Sequence, residues 1–273
     1  MPTTLTLFDP EDMDDAPQPP LTRVRMTVAY DGTRFHGFAV NPGVSTVGGS
    51  LLEALERVLR HPVDLTCAGR TDKGVHAHGQ VVDFATTEGV DLDALVRSLN
   101  GLCGPSIAVR DARVVPGEFS SRFDAAFRRY RYTIHNAPHP DPFSTNTAWH
   151  VREPLSIDRL RLACDPILGT HDFASFCRKN ARADGSDAPT VRDVLDARWE
   201  VEPDGTLRFW IKATSFCHQM VRSIVGTLVE VGHGKLTPGD ILGIIDARDR
   251  AAAGPVAPPH GLSLWEVGYP DPT

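Results

Sequence analysis

No run of eighteen apolar residues occurs in this sequence, which argues against a membrane-spanning helix. The N-terminus also lacks a basic segment followed by an apolar one, so we expect no secretory signal. The five cysteines are scattered and odd in number, and no C-x-x-C pair is present, so neither a disulfide framework nor a structural zinc site is expected. We therefore predict a cytoplasmic protein whose thiols are free and buried.

Excess positive charge is missing as well. The net charge of −7 is unusual for a protein that binds a polyanion. Residues 1–20 contain five acidic side chains, several prolines and no lysine or arginine, a composition typical of a disordered acidic tail. Removing those five acids leaves a charge of −2 on the rest of the chain, so the charge of a local surface decides which partners it binds.

The hydrophobic periodicity predicts the same order of elements twice. In the first half, residues 21–115, we predict strands at 23–28, 63–68, 79–85 and 106–115 and helices at 46–60 and 91–100. In the second half, residues 116–273, we predict strands at 129–134, 191–201, 206–213 and 262–269, and helices at 156–168, at 216–231 and from Thr237-Pro238 onward. Segment 178–190 has almost no apolar side chain and is predicted to be a surface loop.

Each half therefore has the order β-α-β-β-α-β. The predicted fold class is α+β, with two ferredoxin-like halves whose antiparallel sheets lie side by side. A groove between two such sheets would suit an extended polymer, since ligand clefts favour boundaries of this kind.

The most specific motif is Gly69-Arg70-Thr71-Asp72-Lys73-Gly74. Its glycines allow a sharp turn and the close approach of a bulky ligand. Asp72 lies between two cationic side chains, which favour the ionised carboxylate that a nucleophile needs. Taken by itself, a motif of this kind more often contains a turn aspartate that accepts a hydrogen bond from its own backbone.

Two further motifs carry arginines. In Phe127-Arg128-Arg129-Tyr130-Arg131-Tyr132, the arginines could contact phosphates and the rings could stack on a base. The alternative is an exposed edge strand with cross-strand cation–π pairs. In the predicted helix at 216–231, Arg222 lies at the margin of the apolar arc, one turn from His218. It could extend into water or donate to a partly buried carboxylate.

The motifs together resemble the tRNA pseudouridine synthase A (TruA) family. The resemblance covers most of residues 22–270. It rests on Tyr30-Asp31-Gly32-Thr33-Arg34-Phe35-His36-Gly37, on 69–76, on 129–132, on 220–226 and on Gly261-Leu262. It implies an isomerase that converts uridine to pseudouridine at positions 38, 39 or 40 of the tRNA anticodon stem-loop. It also implies a central RNA-binding cleft, a homodimer, and no cofactor or metal.

The resemblance also implies roles for single residues. Asp72 matches the catalytic aspartate, Tyr130 the tyrosine that stacks on the target base and acts as the base at C5, and Arg222 the partner of the aspartate. Arg70 would help to hold the flipped nucleotide. Further RNA contacts are expected of Thr71, Arg128, Arg129, Arg131 and His218. Phe38-Ala39-Val40-Asn41 and Lys73 depart from the family pattern, which leaves the preferred target position open.

The sequence is also compatible with two other functions. A non-catalytic tRNA-binding module would use the same groove, with Asp72 in a structural role. A metal-dependent hydrolase could draw its ligands from Asp72, His76, His78 and Asp83. Metal sites need at least three converging ligands, however, and the sequence has no H-E-x-x-H motif.

Overall fold

A computed structural model describes residues 21–178 and 188–270 of the chain. The acidic segment 1–20 and most of the predicted surface loop 178–190 lie outside these ranges. The strands are β1 (Leu21–Tyr30), β2 (Thr66–Cys67), β3 (His76–Thr87), β4 (Ile107–Val115), β5 (Phe127–Asn136), β6 (Trp149–Val151), β7 (Gly169–Asp172), β8 (Val191–Val201), β9 (Leu207–Ala213) and β10 (Leu262–Gly268). The helices are α1 (Val47–Leu59), α2 (Leu92–Cys103), α3 (Ile157–Leu162), α4 (Met220–Gly232) and α5 (Asp240–Ala247).

All ten strands belong to one sheet, whose main path is β4-β1-β3-β10-β5-β9-β8-β7. β2 pairs with β3 and β6 pairs with β5, both beside this path. In each half the last strand lies beside the first and the first beside the third, so β4-β1-β3-β2 and β10-β5-β9-β8 repeat one order. The predicted α+β fold class with two ferredoxin-like halves is confirmed, and the two sheets are joined edge to edge. The division at residue 116 stays a prediction.

The join between the halves also opens a cleft. β3 pairs with β2 through Val82 and Asp83, but with β10 through His76 and Ala77. β2 and β10 therefore flank the same edge of β3 at different points along its length. The segment 68–75, which connects β2 to β3, lies where β2 and β10 diverge along that edge.

The helices cover one face of the sheet. Along β9, residues 207, 209, 211 and 213 are buried and the residues between them are half-buried, as the two-residue period of a strand requires. α1 and α2 pack together in the first half, as α3 and α4 do in the second. Thr46 and Asp91 cap α1 and α2 by accepting backbone N–H bonds, which satisfies donors that a helix leaves unpaired.

Several predicted boundaries were wrong. The helix expected at 216–231 begins only at Met220, because Gln219 has a left-handed backbone (φ 66°). α5 begins at Asp240 rather than at Thr237-Pro238, and the Asp240 carboxylate accepts the Thr237 N–H at 2.7 Å. The helix expected at 156–168 is split into α3 and a 3-10 turn, Asp165–Ile167. β6 and β7, with three and four residues, are too short to show a periodic pattern.

Among the described residues, none of the helices combines the length and apolar character that crossing a membrane requires.

The start of α4 is held in place by the chain segment 255–258. The Arg222 carbonyl accepts the Ala257 N–H at 3.0 Å, and the Arg222 Nε donates to the Ala257 carbonyl at 2.8 Å. The Tyr132 hydroxyl donates to the Pro258 carbonyl at 2.8 Å. Gly226 permits this approach, since a Cβ there would collide with the carbonyl oxygen of Pro255.

We expect Gly226→Ala to destabilise the protein by about 1–3 kcal/mol, because α4 must move away from segment 255–258. Thermal unfolding followed by circular dichroism measures the change. Gly243→Ala in α5 is the matched control. A Cβ there meets open space, and losing a helical glycine favours folding by roughly 1 kcal/mol. Equal unfolding temperatures for the two variants would contradict the packing argument.

Candidate active site

The loop 68–75 is fixed to the sheet beneath it. Ala68 N–H donates to the Val81 carbonyl at 2.8 Å, and the fully buried Gln80 donates through Nε2 to the Gly69 carbonyl at 2.6 Å. Gly37 supports the loop from another side. Its φ is 93°, and a Cβ there would lie 2.7 Å from the Thr71 carbonyl oxygen. The loop is therefore held by hydrogen bonds and by close backbone packing.

A buried polar network lies under the same loop. The hydroxyls of Tyr30 and Thr71 are 2.8 Å apart, and Gln80 Nε2 donates to the Tyr30 hydroxyl at 3.4 Å. All three residues are buried, so each hydrogen bond satisfies a group that would be costly to leave unpaired. Sequence reasoning did not find Tyr30 or Gln80 as site residues. The one available signal was Gln80 directly before the apolar pair Val81-Val82 of β3.

Asp72 presents its carboxylate to the cleft between two side chains of the second half. Arg222 Nη1 donates to Asp72 Oδ2 at 3.1 Å, and His218 Nε2 lies 3.3 Å from Asp72 Oδ1. The Asp72 side chain is 25% exposed and that of Arg222 13%. One guanidinium thus joins the loop to α4 while its Nε holds segment 255–258. The carboxylate is oriented and still open to a ligand.

Tyr130 forms the wall beside this pair. Its ring packs edge-on against Phe216, with centroids 5.1 Å apart, and a Cβ on Gly69 would lie 3.9 Å from its hydroxyl. Burial, and then the charge of Asp72, raise the pKa of Tyr130 well above that of a free phenol. The ring is therefore a neutral phenol at ordinary pH.

The alternation along β5 separates the residues of its motif. Tyr130 faces the cleft, so Arg129 and Arg131 face the other side of the sheet. Arg129 pairs with Glu266 at 3.0 Å, and the guanidinium carbon of Arg131 lies 4.0 Å from the centroid of a Trp265 ring. These two arginines do not line the cleft with Tyr130, and their contact with RNA stays a prediction.

Arg128 lies on the cleft side but has a different environment from the one expected. Its guanidinium donates to the carbonyls of Ala68, Arg122, Ala125 and Thr214, at 2.6–3.3 Å. Because four carbonyls on three chain segments accept its N–H groups, Arg128 joins these segments and has few donors left for a phosphate.

The cleft has a volume of about 1080 Å³ and a cationic lining. Its lining includes five arginines, at positions 70, 122, 128, 192 and 222, together with His218 and only two aspartates, Asp64 and Asp72. Arg70 is exposed there. Burial lowers the pKa of Arg192. The cleft is thus electropositive even though the whole chain is acidic.

The proposed metal ligands do not converge. His76 Nδ1 accepts the Gly32 N–H at 3.1 Å, whereas the His78 ring packs on Trp265, with centroids 4.1 Å apart. Burial lowers the pKa of His78 to about 4. Asp83 is fully buried and accepts from Arg23 at 2.5 Å. Within residues 21–178 and 188–270, no group of three such side chains could hold a metal ion.

The expectation that all thiols are free was wrong for two of them. Cys177 and Cys217 form a disulfide whose Cα atoms lie 5.8 Å apart. They are separated by 40 residues, so their proximity is a tertiary property that spacing in the sequence did not reveal. Cys67, Cys103 and Cys164 are free. The disulfide fixes the segment that carries Phe216 and His218.

Fold and site together define an α+β protein whose cleft presents a paired carboxylate beside a buried phenol. A sequence model of the family described as tRNA pseudouridine synthase matches residues 26–124 and 163–270. The chain belongs to this family, whose members are isomerases.

Individual relatives agree with this assignment. The chain is 40% identical over 249 residues to the tRNA pseudouridine synthase A of Bacillus velezensis, across 90% of this chain and 99% of that protein. It is 41% identical over 251 residues to that of Brevibacillus brevis, across 91% and 100%. It is 41% identical over 271 residues to that of Leifsonia xyli subsp. xyli, across 91% and 92%. Comparison with solved structures gives a dye-decolorizing protein from V. cholerae at 11% identity and a TM-score of 0.22, over 91% of this chain and 92% of that chain.

All four tyrosines of the chain, at positions 30, 130, 132 and 269, have pKa values raised by burial. Their contribution to stability is complete below the unfolded pKa of about 10 and is lost as pH rises above it. We expect absorbance at 295 nm to show all phenolates forming in one cooperative step with alkaline unfolding. A separate step near pH 10, with the circular dichroism of the folded protein unchanged, would contradict these shifts.

Proposed function

We propose that the protein isomerises uridine to pseudouridine in the anticodon stem-loop of tRNA, at positions 38, 39 or 40. One observation carries the proposal: Asp72 from the first half and Arg222 from the second are in contact within an open cleft, 150 residues apart in the chain. Family membership supports tRNA as the substrate. The motifs that resemble TruA support the anticodon stem-loop as the target.

The cationic cleft supports binding of the RNA backbone. Arg70 and Arg122 lie in the lining where a phosphate could reach them. Contacts of this kind release counterions and supply most of the affinity of a protein for nucleic acid. They would offset the few kcal/mol that flipping a nucleotide out of its stack costs. Arg129 and Arg131, on the other face, are not assigned to this backbone contact.

Asp72 then acts at C1′ of the flipped uridine. Arg222 and His218 hold its two oxygens, so the carboxylate meets C1′ in one orientation as the N1–C1′ bond breaks. The uracil rotates, C5 bonds to C1′, the proton at C5 leaves, and N1 gains a proton. The proton lost from C5 is released to solvent and N1 takes one up, so substrate and product have the same composition and the reaction needs no oxidant, reductant or cofactor.

Tyr130 is assigned a narrower role than the resemblance implied. A base at C5 would have to be a phenolate, and burial together with the Asp72 charge disfavours that form. We propose that the Tyr130 ring packs against the target uracil and that its hydroxyl acts as a hydrogen-bond donor. Phe216 fixes the ring by its edge-on contact.

Tritium release from tRNA labelled at C5 of uridine tests the proposal. For Asp72→Asn we expect turnover to fall by at least roughly 1,000-fold, as for other enzymes that lose a catalytic side chain, with tRNA binding retained. Asp64→Asn, which changes the other aspartate of the cleft lining, should stay within about twofold of the parent, because this exposed carboxylate has no part in the proposed transition state. A parent protein that binds tRNA but releases no tritium would instead be the non-catalytic module. Equal turnover by Asp72→Asn would remove Asp72 from the chemistry.

We further propose that the protein is a cytoplasmic homodimer. The sheet face opposite the helices carries a patch of aromatic and arginine side chains, a composition enriched at protein interfaces. In this patch Trp210 packs edge-on against Trp265 with centroids 5.2 Å apart, and Arg131 stacks on Trp265. A cytoplasmic location follows from tRNA as substrate.

Sedimentation equilibrium tests this dimer. We expect a mass of about twice the 29.8 kDa of one chain for the parent, and monomers for Trp265→Glu, because a charge would be buried in the interface. Leu242→Glu, which changes an exposed apolar residue on α5, should remain dimeric. A monomeric parent would contradict the dimer. A dimeric Trp265→Glu would place the interface elsewhere.

A further inference from the structure

Phe123 is an exposed aromatic residue in the wall of the cleft. Its side chain is 79% exposed, although the chain around it is well ordered by hydrogen bonds, and it lies among the residues that line the cleft. The proposed mechanism does not use it. Single exposed apolar residues are common on protein surfaces, so exposure by itself indicates nothing. Phe123 differs from a single exposed apolar residue because hydrogen bonds fix the turn that carries it.

The backbone on the N-terminal side of Phe123 is anchored twice. The Ser121 N–H donates to the fully buried Asp83 carboxylate at 2.8 Å, and the Ser121 carbonyl accepts from the Tyr269 hydroxyl at 2.8 Å. Ser120 and Asp124 close the turn that carries Phe123. The Asp124 N–H donates to the Ser120 carbonyl at 3.1 Å, and the Asp124 carboxylate accepts the Ser120 N–H at 2.9 Å. The ring is thus held out toward solvent by a fixed turn.

Arg128 completes the anchoring and ties it to the catalytic loop. It donates to the carbonyls of Arg122 and Ala125, on either side of Phe123, at 2.6 and 3.2 Å. The same guanidinium donates to the Ala68 carbonyl at 2.8 Å, four residues before Asp72. The position of the Phe123 turn is therefore linked to the Asp72 loop by one half-buried side chain, Arg128.

A cation accompanies the ring. The guanidinium carbon of Arg122 lies 5.2 Å from the centroid of Phe123. An aromatic face next to a cationic side chain, in a groove that follows the nucleic-acid backbone, is the arrangement that binds unpaired nucleotides by stacking and phosphate contact. The Tyr130–Phe216 pair already forms the cleft wall beside Asp72, which leaves the Phe123 ring available to a different nucleotide.

We infer that Phe123 and Arg122 form a subsite for a nucleotide that flanks the target uridine. The base of that nucleotide stacks on the Phe123 ring and its phosphate contacts Arg122. Because every base has an aromatic face, the subsite holds the RNA without reading its sequence. It contributes to binding equally before and during the reaction, and so acts on KM rather than on kcat. This inference rests on the proposed function.

Steady-state tritium release with transcribed tRNA tests the subsite. We expect Phe123→Ala to raise KM by roughly 5- to 150-fold, the range found when a base-stacking ring is removed, with kcat within about twofold of the parent. Phe123→Trp should keep the parent KM, since it retains an aromatic face. Phe123→Leu should behave like Phe123→Ala, since it retains apolar bulk but no ring. Phe143→Ala is the matched control, because Phe143 is 98% exposed and lies outside the cleft lining.

Three results would overturn the subsite. They are an unchanged KM for Phe123→Ala, a parental KM for Phe123→Leu, and an equal rise in KM for Phe143→Ala. The first two would show that the Phe123 ring does not bind the RNA. The third would show that removing any exposed aromatic residue raises KM, wherever it lies on the surface. Each leaves the turnover of the parent intact. An inactive parent protein would instead contradict the proposed function, so the two failures are distinguishable.

Discussion

The contact between Asp72 and Arg222 is the interaction on which the candidate site depends. Its partners are 150 residues apart, so it exists only because β10 joins β3 of the first half to β5 of the second. The Arg222 guanidinium binds two segments at once, since its Nε donates to the Ala257 carbonyl and its Nη1 donates to the Asp72 carboxylate. A lysine could not reproduce this geometry, because one ammonium group lacks the planar fork of donors.

Buried polar groups set the rest of the site. Tyr30, Thr71 and Gln80 support the Asp72 loop from below, and Arg128 links that loop, the Phe123 turn and the end of β9. Unpaired, these groups would cost roughly 1–3 kcal/mol each, so the same bonds that satisfy them also fix the cleft. The hydrogen-bonded groups under the cleft therefore contribute to stability and fix the geometry of the candidate site together.

Local pattern predicted much of the fold. The apolar spacing in α1 and α2 and the alternation in β1 and β9 are properties of short segments, and the structure confirms these elements within a few residues. The predicted start of α4 was wrong because Phe216 and Cys217 are held outside the helix by contacts with Tyr130 and Cys177. Local helix preferences contain no information about such tertiary contacts. The short strands β6 and β7 depend on pairing with neighbours and have too few residues for a period of their own.

The sequence by itself determined the fold class, the family and the motif around Asp72, because each depends on patterns within short segments and on their order along the chain. Only the tertiary structure decided which side of β5 meets the cleft, and with it that Tyr130 lies beside Asp72 while Arg129 and Arg131 lie behind the sheet. It also decided that Arg128 binds backbone and that Arg222 reaches the carboxylate. The physical reason is that a side chain's neighbours depend on strand pairing between distant segments, whereas its periodicity depends only on the residues next to it.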